Sequence, residues 1–168
     1  MVKYKGSKKE TLALESFIKL MRSSNTISSE VNNYLARNKL TMSQFGVLEA
    51  LYHVGSMYQR DLAEKILKTT GNITTVIDNL EKRKLVERQR EMKDRRYFKI
   101  VLTPSGKRLT KKVFPEYATQ IEKSMNRLTM TEQKELARLC KKLGTGKDTG
   151  KNTGKDTAKE TVKEMEKE

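Results

Sequence analysis

Asp94, Arg95 and Arg96 set one carboxylate beside two adjacent guanidinium groups, in the middle of the segment EMKDRRYFKIVLT at residues 91–103. Side chains of this kind at the tip of a hairpin suit the recognition of a polyanion. Arginine and lysine on a ribbon can enter the minor groove of DNA, where the negative potential is strongest over A-tracts. A second set lies earlier in the chain. Asn72, Thr74, Thr75, Asp78 and Asn79 fall on one face of a helical pattern. They are short hydrogen-bonding side chains, where a merely solvated helix is usually filled with Glu and Lys. Thr74, Thr75 and Asn79 are short enough to reach base edges in a major groove without clashing with its walls.

Catalytic chemistry finds little support. The chain has no paired carboxylates, no Gly-rich phosphate loop and no nucleophile motif, so no enzyme activity is expected. His53 is the one histidine and Cys140 the one cysteine, too far apart in the chain to suggest a metal set, and no cofactor is expected. A lone histidine is usually a packing or surface residue, and a lone cysteine is more often buried and structural than a sensor. A single cysteine also fits a reducing compartment, with the cytoplasm as the default.

The elements that must position these residues follow from periodicity and capping. Apolar residues from Leu14 to Leu35 recur at helical spacing, which predicts one long helix over about 10–38, or two joined at the polar stretch RSSNTISSE. Thr41 and Gln44 form a capping box for a helix that should stop near Val54, with Gly55 in a left-handed end position. A short helix is expected at about 58–67. The segment TTGN, which includes Thr70 and Asn72, then breaks and restarts the chain. Ile73, Val76, Ile77 and Leu80 make the apolar stripe of the next helix.

Residues 85–90 and 97–102 read as two strands, with Phe98, Ile100 and Leu102 packing inward. Thr103-Pro104 is a helix start, with Thr as the cap and Pro where its missing N–H costs nothing. Pro115 should kink or divide the helix it opens. A second capping box, Thr129 with Glu132, opens a last helix carrying Leu136, Leu139 and Leu143.

Charge supports the nucleic-acid reading. Lysines and arginines number 36 against 21 acids, for a net charge of +15. A protein this basic is drawn to nucleic acid or to an anionic membrane surface. The apolar runs are too short to span a bilayer or to form a signal-peptide core, so no membrane partner is expected. The four-residue repeat from Thr145 onward, with six lysines and six acids between residues 144 and 168, is neutral and reads as a disordered tail. The excess therefore sits in the rest of the chain, and residues 81–112 alone hold 13 cations against four acids.

A helix, a short turn, a polar-faced helix and a two-stranded ribbon with a cationic tip, in that order, make a winged helix-turn-helix. The segments LTMSQFGVLEAL, DLAEKI, TTVIDNLEKRKLVER and DRRYFKIVLTPSG resemble successive parts of the MarR family of bacterial transcription regulators, over about residues 10–143. The last is the most specific, with Asp, two basic positions, a strand and then Leu-Thr-x-x-Gly. The resemblance implies a mainly α fold with a small two- or three-stranded β wing. It implies dimerisation helices at 1–40 and 104–143, and a DNA-binding domain at 41–103. It also implies a homodimer that binds double-stranded DNA at a pseudo-palindromic operator, usually as a repressor released by a small-molecule effector or an oxidant.

By position, Arg95 or Arg96 would enter the minor groove while Asp94 pairs with the other. The expected DNA-contacting set is Thr70, Asn72, Thr74, Thr75, Asn79, Arg83, Arg88, Arg90, Lys93, Asp94, Arg95 and Arg96. The family's effector pocket usually lies between the dimerisation helices and the DNA-binding lobe, and Tyr34 and His53 belong to elements that could line it. A nonspecific architectural DNA-binding protein is the alternative, in which the basic wing matters and the polar helix face does not.

Two positions depart from the family pattern. Gly is common where Lys84 stands, and a non-Gly residue in a left-handed conformation costs roughly 1 kcal/mol, so a different helix end is expected there. Tyr58 stands where a Ser or Thr cap would be expected.

Overall fold

A computed structural model describes residues 4–66, 70–90 and 98–145. The chain divides into two compact units, Met1–Ser124 and Met125–Glu168. The first helix, α1 (Lys8–Arg37), is continuous through the polar stretch at its middle. It starts earlier than its apolar pattern, because Ser7 and Glu10 form a capping box. Helix α2 (Met42–Val54) opens on the Thr41–Gln44 box and ends at Gly55, whose φ of 89° is positive as expected but whose ψ of −156° takes it outside the left-handed helical region, into backbone space that glycine adopts most readily.

Strand β1 (Met57–Tyr58), helix α3 (Gln59–Lys65) and helix α4 (Thr70–Lys82) follow. Strands β2 (Val86–Arg90) and β3 (Phe98–Leu102) lead into α5 (Pro104–Met125). In the second unit, α6 (Met130–Thr145) starts on the Thr129–Glu132 box, as its sequence predicts.

The sheet has the order β1-β3-β2 and is antiparallel throughout. Ile100 lies at its centre, opposite Met57 on one side and Arg88 on the other, and is fully buried. The core joins Phe45, Leu48 and Leu51 of α2 to Leu62 of α3, Ile73, Ile77 and Leu80 of α4, and Ile100. Hydrophobic burial of this kind is the main force holding three short helices against a small sheet. Phe98 differs from expectation: it is exposed, because it sits at the end of the strand beyond the core, and its ring lies 5.8 Å from the Arg90 guanidinium. Helix α5 is not divided at Pro115. The Tyr34 hydroxyl donates to the Val113 carbonyl at 3.0 Å and ties α1 to α5, and Ser124 donates to Glu30 near the far end.

Helices α1 and α4 end alike. Lys39 and Lys84 hold φ values of 55° and 56°. The Leu40 and Leu85 amides reach back to the Leu35 and Leu80 carbonyls at 3.0 Å, while Lys39 and Lys84 bond to Ala36 and Glu81. Each end is therefore a Schellman turn with lysine where glycine is favoured. Contrary to the sequence expectation, Lys84 takes the left-handed conformation at its cost of about 1 kcal/mol, because the turn recovers two carbonyls of α4.

The start of α5 is packed directly on this turn. Thr103 caps the Gly106 amide at 3.0 Å and donates its hydroxyl to the Lys84 carbonyl at 2.7 Å. A Cβ on Gly106 would stand 2.0 Å from the Leu85 oxygen and 2.9 Å from a Leu102 methyl. Gly106→Ala must therefore push α5 away from the base of the ribbon, and a loss of about 1–3 kcal/mol in urea unfolding is the expected result.

Glu49 on α2 supplies a pH-dependent test. Burial raises its pKa above the ordinary value, partly offset by Lys65, and its charge adds to burial in raising that of Tyr117. The fold thus favours the neutral carboxyl: that stability is fully present below the unfolded-state pKa and is lost as pH rises through the higher folded-state value. Glu49→Gln should therefore melt above the parent protein at pH 7, with the difference shrinking towards pH 4.

Candidate nucleic-acid interface

Helix α4 carries opposed stripes. Ile73, Ile77 and Leu80 are fully buried, whereas Asn72, Thr75 and Asn79 are exposed at spacings of three and four on the other side. This strip is about 10 Å long at 1.5 Å per residue, and a helix of ordinary diameter fits a major groove about 12 Å wide. Thr74 is turned to another use: its hydroxyl accepts from the Gln59 amide at 2.8 Å, which fixes α4 against α3. Thr70 opens α4, but its side chain lies outside the described residues.

The flank of α4 is held by one arginine of the neighbouring strand. Arg88 donates to Asp78 at 2.5 Å and to Glu81 with its guanidinium, and its backbone amide donates to the other Glu81 oxygen at 3.0 Å. Its side chain is only 21% exposed. Burial acts against its charge, but hydrogen bonds and charges from Asp78 and Glu81 outweigh that and raise its pKa above the ordinary value. Arg88 thus joins the exposed-strip helix to the ribbon. Asp78, Glu81 and Gln59 were not singled out as partners from sequence, since their roles depend on the tertiary meeting of α3, α4 and β2.

Of the other predicted residues, Arg83 donates to the Lys39 carbonyl at 2.7 Å and remains exposed. Arg90 is exposed beside Phe98. Lys93, Asp94, Arg95 and Arg96 lie outside the described residues, and so does the pairing expected of Asp94. Tyr58 makes no side-chain cap to α3. Its pairing opposite Lys99, whose ammonium stands 5.3 Å from its ring, places the helix start instead.

His53 packs edge-on between Tyr52 and Phe114, at 5.2 and 4.9 Å between ring centres. Cys140 is exposed rather than buried, since α6 carries no buried residue. Among the described residues no group of three or more possible metal ligands is assembled, and no helix is long and apolar enough to cross a membrane.

A core of three short helices, the last with a braced inner face and a polar outer strip, followed by an antiparallel ribbon, defines a winged helix-turn-helix DNA-binding protein of the kind that regulates transcription. The chain belongs to the MarR family. That family's model matches residues 40–98. The transcriptional regulator MhqR of Bacillus subtilis is 32% identical over 132 residues, covering 79% of this chain and 91% of its own. SarZ of Staphylococcus aureus is 33% identical over 102 residues, which are 56% of this chain and 69% of its own.

Among solved structures, BpsR of Bordetella bronchiseptica superposes with a TM-score of 0.71 at 27% identity, over 77% of this chain and 98% of its own. The DNA binding of BpsR is regulated by 6-hydroxynicotinic acid. MepR of S. aureus, solved in complex with DNA, gives 0.68 at 25% identity, over 77% and 96% of the two chains.

Removing the brace should be costly. Arg88→Ala leaves two carboxylates of α4 without their shared partner, and a loss of about 1–3 kcal/mol is expected in urea unfolding. Arg88→Lys should recover only part of it, because an ammonium cannot span both carboxylates as the planar guanidinium does. An alanine variant as stable as the parent protein would show that the brace contributes nothing.

Proposed function

We propose that this chain is a sequence-specific transcriptional regulator that binds a pseudo-palindromic operator as a homodimer. In this reading it is a cytoplasmic repressor, released when a small molecule binds. The observation that carries the specificity is the exposed strip of Asn72, Thr75 and Asn79 on a helix whose other faces are committed to the core, to Gln59 and to Arg88. A purely electrostatic binder has no need of amide and hydroxyl groups there. Arg90, Lys93 and one of Arg95 and Arg96 supply the wing contacts, and Asp94 holds the other arginine. Arg88 acts through α4 and not on DNA.

Dimerisation is supported by surface that one chain leaves uncovered. Leu14, Phe17, Ile18 and Met21 recur at helical spacing on α1 and are 44%, 60%, 44% and 44% exposed. On α6, Leu139 and Leu143 are exposed as well. A stripe of this extent on a single helix is the kind of surface a second copy covers. Regulation of BpsR by 6-hydroxynicotinic acid supports an effector of the small aromatic-acid class.

Titration of the native promoter fragment against random competitor DNA tests the reading. The expected preference is about 10³ or more, whereas a ratio near one would favour a nonspecific architectural role. Asn79→Ala should lower that preference by about tenfold while leaving nonspecific binding unchanged, in line with the discrimination supplied by one bidentate base contact.

A further inference from the structure

The cationic residues of the lobe are not confined to the wing and the reading strip. Arg83 bonds to the Lys39 carbonyl, and Thr103 bonds to the Lys84 carbonyl, so the ends of α1 and α4 and the start of α5 meet. Lys39, Arg83, Lys84, Lys107, Arg108 and Lys111 are all exposed at this junction. It lies at the C-terminal end of α4, roughly 18 Å along the helix from Thr70, and at the end of the ribbon where Val86 pairs with Leu102. A surface groove of about 310 Å³ there is lined by Pro104, Lys107, Arg108 and Lys111.

These cations are placed against the local interests of the fold. Lys39 and Lys84 occupy left-handed positions that glycine would hold with less strain. Lys107 and Arg108 stand in the first two turns of α5, with Lys111 just beyond them, towards the positive end of its dipole in a helix with no acid in its first turn. Among the described residues no carboxylate forms a salt bridge with any of the six. Arg108 makes one hydrogen bond, to the Ser105 hydroxyl at 3.1 Å.

We propose that this junction is a second, sequence-independent contact surface for double-stranded DNA, taking the sugar–phosphate backbone away from the bases that α4 reads. A duplex carries one charge per about 1.7 Å of its axis, so an array of several unpaired cations matches it. A protein partner or a membrane surface would call for large apolar side chains among the cations, and among the described residues no exposed large hydrophobic lies in the segments 39–41, 82–85 or 104–111 that carry them. The inference rests on the DNA-binding reading given above, but it assigns contacts to residues outside the reading helix strip and the wing.

The test uses the full chain and two duplexes, the native promoter fragment and a random sequence of equal length, titrated across a salt series. In the triple variant Lys107→Gln/Arg108→Gln/Lys111→Gln, the slope of log affinity against log salt should become shallower by about two to three units on both duplexes. The preference for the promoter should stay unchanged. Lys107→Arg/Lys111→Arg should keep the parental slope. Thermal melting of the triple variant should match or exceed the parent, since the substitutions relieve charge at the positive end of α5.

An unchanged slope with promoter preference intact would overturn this surface and leave the DNA-binding reading standing. A loss confined to the promoter duplex would also overturn it, since the residues would then be reading sequence. Failure of the parent protein to bind either duplex would overturn both.

Discussion

The contact between Arg88 and the two acids of α4 governs the geometry of the DNA-binding lobe. Burial of Ile73, Ile77 and Leu80 decides which face of α4 turns inward. Two carboxylates one turn apart, held by one planar guanidinium and one backbone amide, fasten that setting to β2. Gln59 holds the same flank nearer the N-terminus of α4, through Thr74. With that flank held at two levels and the apolar stripe buried, the direction in which Asn72, Thr75 and Asn79 point is set by the fold. A preorganised strip loses less entropy on binding and gains specificity from the same few hydrogen bonds.

Much of this architecture was legible in the sequence wherever a local rule decides the outcome. The boxes at Thr41–Gln44 and Thr129–Glu132, the stripe of Ile73, Ile77 and Leu80, and Thr103-Pro104 each depend on neighbours within a turn or two, and each stands as read. The same rule was available at Ser7–Glu10 but is easily passed over, since the apolar pattern begins only later. Elements set by distant partners were not legible. Strand β1 has two residues and no periodicity, and it exists because β3 offers an edge. The exposure of Phe98 follows from where the core stops along an alternating strand, which alternation alone does not state.

The candidate site divides in the same way. The polar face of α4 could be recognised from composition, yet that pattern gives Thr74, Asp78 and Asn79 equal standing. Their separation into a half-buried hydrogen-bond partner, half of a brace and an exposed side chain needs α3 and β2 in place. Arg88 illustrates the limit most clearly, because a basic residue in a basic segment gives no local sign of facing inward to carboxylates. Lys84 marks another limit. A propensity argument correctly states the cost of a left-handed lysine, but it does not weigh that cost against two recovered carbonyls.

The continuity of α5 through Pro115 has a mechanical consequence. Proline supplies no amide to the Lys111 carbonyl, so the helix lacks one rung and is most compliant there. Its N-terminal arm, about 16 Å long, is anchored through Thr103 and Gly106 to the base of the ribbon. Its other arm is fastened to α1 near Ser124. A bend of only about 10° at the proline would swing the anchored end by about 3 Å over that arm length, the scale of a hydrogen bond. A helix fastened in this way would act as a lever with its fulcrum in mid-span, close to where Tyr34 holds Val113, and a small strain beside α1 would be felt at the base of the ribbon.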